Sequence, residues 1–184
     1  MKKAFIFLAE GFEEMEAVTP LDLLRRVGID TKFVSISDSL QILGAHNILF
    51  TADMLFEREI LQTADILILP GGMPGTMNLL AYEPLLALLL DFHKEKKTIA
   101  AICAAPLILG EIGILEGKSA TIYPGMENRL IGAHSSLNPV CVDGHILTSR
   151  GAGTAIEFTL AIIRELTDDT TANQLKTSIV YHQT

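Results

Sequence analysis

The residue best placed to do chemistry is Cys103, which closes the apolar run "TIAAIC" and is followed by "AAP". A nucleophile at a sharp strand-to-helix turn is the arrangement of the hydrolase elbow, where small neighbours let the backbone turn. The helix N-terminus beyond it is expected to lower the thiol pKa and favour thiolate. The backbone N–H of Ala104 could face an oxyanion, as could that of Gly72 in "PGGMPG" after the neighbouring strand. Cysteine is also among the commonest buried residues, so position alone leaves packing open as the competing reading. Cys141 lies in a hairpin strand with no such surroundings and is read as packing.

A second candidate lies in "AEGFEEMEAV", which puts Glu13, Glu14 and Glu16 just after the apolar run "AFIFLA". Acids in a first helical turn suit the helix dipole, which accounts for Glu13 and Glu14. Glu16 is different. At about 100° per residue it falls in one arc with Ala17, Pro20, Leu23, Leu24 and Val27, whereas Glu14 lies at the edge of that arc, near Arg25. Pro20 cannot donate to the Glu16 carbonyl, so the backbone there is expected to be irregular. An inward carboxyl at the end of a first strand should have a raised pKa; a boundary glutamate that bends out to solvent is the alternative. A carboxylate beside a thiolate would be repulsive, and the pair works if Glu16 stays protonated and donates a hydrogen bond to the sulfur.

The elements that must position these groups are legible as alternation. "KAFIFLA", "DILILP" and "TIAAIC" read as strands buried on both faces, each leading into small or Gly-containing residues and then a helical pattern. That is a mostly parallel sheet covered by helices, an α/β fold, whose sites form beyond the carboxyl ends of the strands. The first helix is expected from Glu14 to Val27, stopping at Gly28, with "DTKFVSIS" as the second strand. "LQILGAHNILFT" reads as a hairpin near the sheet edge, and a long helix follows Pro84 and ends near "HKEKK". Asp143-Gly144 signals a further hairpin, whose second strand "HILTS" feeds "RGAGT" and a helix from Thr154 to Leu166. A polar helical segment closes the chain.

Composition bounds the rest. The 184 residues fit one domain, 1–184, with no repeat or low-complexity linker, and 49% apolar with 20% charged residues marks a globular chain. A net charge of −8 and the absence of any long basic run argue against nucleic acid or an anionic membrane as partner. "LLALLL" is too short to span a bilayer, and the early apolar run is shorter than a secretory core. Two distant cysteines give no disulfide framework, so a reducing cytoplasm is the default; five scattered histidines make a structural zinc site an unfavoured reading. "GAG" at Gly151 to Gly153 precedes a helix, but Ile156 stands where a dinucleotide fingerprint needs its last glycine.

Together, "GFEEMEAVTPLDLLRR", "LPGGMPG", "AAICAAP" and "LTSRGAGTAIEF" resemble the ThiJ/PfpI superfamily, in the branch of the parkinsonism-associated deglycase, from Lys3 to about Val180. The resemblance implies a flavodoxin-like three-layer α/β/α sandwich that forms a homodimer. It implies Cys103 as nucleophile, Glu16 as its carboxyl partner, Gly72 and Ala104 as backbone donors, and no cofactor or metal. Gly71 and Tyr123 are candidates for the pocket. Where many relatives have histidine in a Thr-His-Pro context, this chain reads "ATIYPG" with Tyr123, a poor base near neutral pH. His134 is a substitute candidate, though a surface residue is the plainer reading, and His46 receives no role. Ala104 stands where protease-like members carry histidine, which counts against peptidase activity.

The implied activity is a cofactor-free glyoxalase or deglycase acting on glyoxal, methylglyoxal or their early protein adducts. The alternative is an oxidative-stress sensor or chaperone whose cysteine oxidises to a sulfinate without turnover.

Overall fold

The computed structural model describes residues 1–181. The chain opens with β1 (Lys3–Leu8), α1 (Glu14–Arg26) and β2 (Asp30–Ser35). A small hairpin, β3 (Gln41–Leu43) and β4 (Leu49–Thr51), precedes β5 (Met54–Leu55) and the single turn α2 (Arg58–Leu61). Then come β6 (Ile66–Leu69), α3 (Gly75–Ala81), α4 (Glu83–Lys94), β7 (Thr98–Ile102) and α5 (Pro106–Glu111). Short strands β8 (Ser119–Ala120) and β9 (His134–Ser135) pair with each other, and the chain continues through β10 (Val140–Asp143) and β11 (Ile146–Ser149). Helices α6 (Ala155–Leu166) and α7 (Asp169–Ser178) follow.

The central sheet has the order β10-β11-β7-β6-β1-β2-β5, parallel except for β10. Successive strand residues point to opposite faces, and the core divides accordingly. Phe5, Phe7, Leu67, Leu69, Ile99 and Ala101 pack with Leu85, Leu88, Leu89 and Phe92 of α4 and with α5. Ala4, Ile6, Leu8, Ile66, Ile68, Ala100 and Ile102 pack with Leu23 and Leu24 of α1 and Phe158, Ile162 and Ile163 of α6. Three layers result, the expected flavodoxin-like sandwich. From β1 the chain winds outward to β2 on one side, and from β6 to β7 on the other, so the direction of winding reverses between β1 and β6. That crevice is where α/β sheets place sites.

Several boundaries differ from the sequence reading. Helix α1 ends at Arg26, and Gly28, at φ +78°, supplies the left-handed residue that closes it while its N–H reaches Arg25 O. Pro20 leaves the helix unbroken. The hairpin "LQILGAHNILFT" forms its own two-stranded sheet, and β5 makes the sheet edge. Asp143 pairs with Ile146, so Gly144-His145 is the turn, one residue later than the Asp-Gly signal suggested. No helix among the described residues is long and apolar enough to cross a membrane.

Candidate active site

Three strand ends converge. The loop after β1 delivers Glu16 on the first turn of α1, the loop after β6 delivers Gly71 and Gly72, and β7 ends in Cys103. The first two loops clasp each other: Glu13 N–H donates to Gly71 O at 2.9 Å, and Gly71 N–H donates to Glu16 Oε2 at 2.8 Å. A side chain at Gly71 would place its Cβ 2.7 Å from Cys103 Cβ and 2.8 Å from Glu16 Oε2. Only a glycine lets the two functional groups come together at this point.

Glu16 is fully buried, so the inward reading of its helix position is the one the structure adopts. Oε1 is buried and has no hydrogen-bond partner among the described residues. The carboxyl lies beside the Cys103 thiol, close enough for each group to shift the other's ionisation. Burial pushes the Glu16 carboxyl up to about 7; the Cys103 and Gly71 contacts work against that rise and the Glu13 charge adds to it.

Cys103 is partly exposed and has φ +63°, a left-handed conformation that non-glycine residues seldom hold. Backbone bonds on both sides hold it there: Cys103 N–H donates to Ser149 O at 2.9 Å, and Tyr123 N–H donates to Cys103 O at 2.8 Å. The N–H groups of Ala104 and Gly72 lie near the sulfur and favour its ionised form. These are the two expected oxyanion donors.

The expected lowering of the thiol pKa does not hold beside an ionised Glu16. Burial pushes the thiol up to about 12, the Glu16 charge and hydrogen bond push the same way, and the two N–H donors do not outweigh them. The helix that follows is a six-residue turn, α5, too short to contribute a strong field. The two groups form a coupled pair that holds one negative charge near neutrality.

Of the remaining candidates, Tyr123 is half exposed, and its ring lies close enough to Gly151 that a Cβ there would sit 3.6 Å from Cδ2. His134 is exposed, and Cys141 is buried in β10. Glu14 does not sit near Arg25. It is buried, its Oε1 accepts from His46 N–H at 2.7 Å and its Oε2 lies 2.7 Å from His46 Nδ1, while Arg25 pairs with Asp53. The His46 bonds hold the Glu14 carboxyl below the usual range although burial opposes them. His46 sits at the tip of the β3–β4 hairpin, and nothing local in the sequence announces that contact.

A profile of the DJ-1/PfpI family matches residues 2–165. The chain belongs to the DJ-1/PfpI family. Within that family it is 35% identical over 183 residues to the Parkinson disease protein 7 homolog of Danio rerio, covering 97% of each chain. It is 31% identical over 154 residues to a protein of Pyrococcus abyssi named a deglycase, covering 82% of this chain and 91% of that one. It spans 36% of the longer DJ-1 homolog B of Arabidopsis thaliana. Among solved structures, an oxidized DJ-1 of Toxoplasma gondii superposes with a TM-score of 0.93 at 32% identity, covering 100% of both chains.

Proposed function

We propose that the protein is a cofactor-free, cysteine-dependent glyoxalase or deglycase acting on small reactive dicarbonyls or their early adducts with proteins. The observation that carries this reading is the fully buried Glu16 carboxyl, raised to about 7 and packed with Cys103 around Gly71. The reactive form is thiolate with carboxylic acid. In that form the sulfur accepts from the Ala104 N–H, the Gly72 N–H and the Glu16 O–H, whereas a Glu16 carboxylate would accept from Gly71 N–H and the weak thiol donor.

The thiolate attacks the aldehyde carbon of methylglyoxal, forming the C–S bond and an oxyanion that takes the Glu16 proton to give a hemithioacetal and leave Glu16 as carboxylate. The Gly72 and Ala104 N–H groups hold that oxyanion. Glu16 removes the proton from the former aldehyde carbon and returns one to the neighbouring carbon through an enediol. Water then cleaves the thioester, giving lactate and free thiol, so one methylglyoxal and one water become one lactic acid. Release of lactate without added cofactor, abolished in Cys103→Ser, is the expected result; equal lactate from both proteins would overturn the reading. The same proposal places the enzyme in the cytoplasm and makes it a homodimer; exposed Met15, Val18, Ile48 and Leu49 on α1 and the adjoining hairpin support the dimer. Peptidase activity is not part of it.

A second reading has a specific support. A protonated Glu16 beside a partly exposed sulfur is placed to bond a sulfinate oxygen and arrest oxidation there. Mild peroxide should then add two oxygens at Cys103 and none at Cys141, read by intact and peptide mass. An unmodified Cys103 would defeat the sensor reading.

A further inference from the structure

At the opposite end of the sheet from Cys103, the last turn of α4 meets the β10–β11 turn through two imidazoles. Nε2 of His145 lies 3.0 Å from Nδ1 of His93, with ring centroids 5.0 Å apart. The two residues are 52 positions apart in sequence, and both are half-buried. We propose that His93 and His145 form a two-histidine site for a borderline-soft divalent transition metal ion such as Zn2+, Ni2+ or Cu2+.

The spacing is that of two nitrogens on one ion. With metal–nitrogen bonds of about 2.0–2.1 Å, two imidazoles at a tetrahedral angle stand about 3.3 Å apart, and at a right angle about 2.9 Å apart. The observed separation lies between these, so the two nitrogens already stand at the spacing of ligands on one ion. In the metal-free pair one proton sits between the two nitrogens. On binding, that proton moves to the other nitrogen of its own ring, both facing nitrogens become ligands, and two neutral imidazoles release no net proton.

His145 is held in place by its backbone. His145 O accepts from Ile99 N–H at 2.9 Å, and Gly144, at φ +62°, fixes the turn. Lys118 and Lys96 face this corner, and Asp143 offsets Lys118 at 3.7 Å. Neutral nitrogen donors among lysines select against Mg2+ and Ca2+, which need oxygen ligands. Water completes the coordination. A bound ion would tie α4, immediately before β7, to the β10–β11 turn.

The test is titration of the full chain with ZnCl2, read by histidine-ring NMR and by thermal unfolding. Selective shifts of the His93 and His145 rings are expected, with a Tm rise of several degrees that EDTA reverses. His93→Asn and His145→Asn should each weaken Zn2+ binding at least tenfold while far-UV circular dichroism stays that of the parent; either variant suffices if the other misfolds. Shifts confined to His46, or affinity unchanged in both variants and lost in Cys103→Ser, would overturn the proposal.

Discussion

Replacing Glu16 by Gln should flatten the dependence of stability on pH. In the unfolded chain the carboxyl ionises near its ordinary 4.5, but in the folded protein it keeps its proton up to about 7. Between those values the folded state binds a proton that the unfolded state has lost, so stability falls as pH rises through that window. From pH 5 to pH 8 the loss amounts to about 2–3 kcal/mol. For a domain of this size that is a fall in Tm of about 5–10 °C. The proton belongs to the pair as a unit, so the same loss follows whether the first charge settles on oxygen or on sulfur. Gln keeps an acceptor for Gly71 N–H and cannot ionise. Urea unfolding of parent and variant at pH 5 and pH 8 makes the measurement, with the variant gaining on the parent at the higher pH. Parallel curves, with the same difference at both pH values, would refute the assignment of a proton-holding Glu16.

Two glycine substitutions separate a clash at the site from strain away from it. Gly71→Ala should cost about 1–3 kcal/mol, because its Cβ would overlap Cys103 Cβ and Glu16 Oε2, and it should also slow alkylation of Cys103. Gly28→Ala meets no atom within 4 Å and carries only the penalty of φ +78°, so it should lower the unfolding free energy by about 1 kcal/mol and leave Cys103 reactivity unchanged. Equal alkylation rates in Gly71→Ala and the parent would contradict the packing described here.

Much of this was readable from the residues, and the parts that were not share a cause. "KAFIFL", "ILIL" and "TIAAI" are apolar without interruption because both faces of their strands are covered, and that pattern carries the sheet. Glu16 betrayed itself by standing in an apolar arc, and Cys103 by closing a strand among small residues. The direction of the thiol pKa could not be read, since it depends on burial and on a carboxyl contributed from 87 positions earlier in the chain, 103 − 16. The left-handed backbone of Cys103 is imposed by bonds from Tyr123 and to Ser149, both remote in sequence. Glu14 with His46, and His93 with His145, are likewise meetings of distant segments, whereas the helical arc locates a residue only relative to its own helix. Strands of two residues, such as β8 and β9, are too short to show any period.

The most direct test follows the ionisation of Cys103 itself, by thiolate absorbance and by the pH dependence of alkylation, with Cys103→Ser as the blank. An alkylation rate that steps up with the first ionisation of the pair near pH 7, and loses that step in Glu16→Gln, is the result predicted for a sulfur coupled to a proton-bearing carboxyl. A reactivity profile with no step near pH 7, or one indifferent to position 16, would contradict the account.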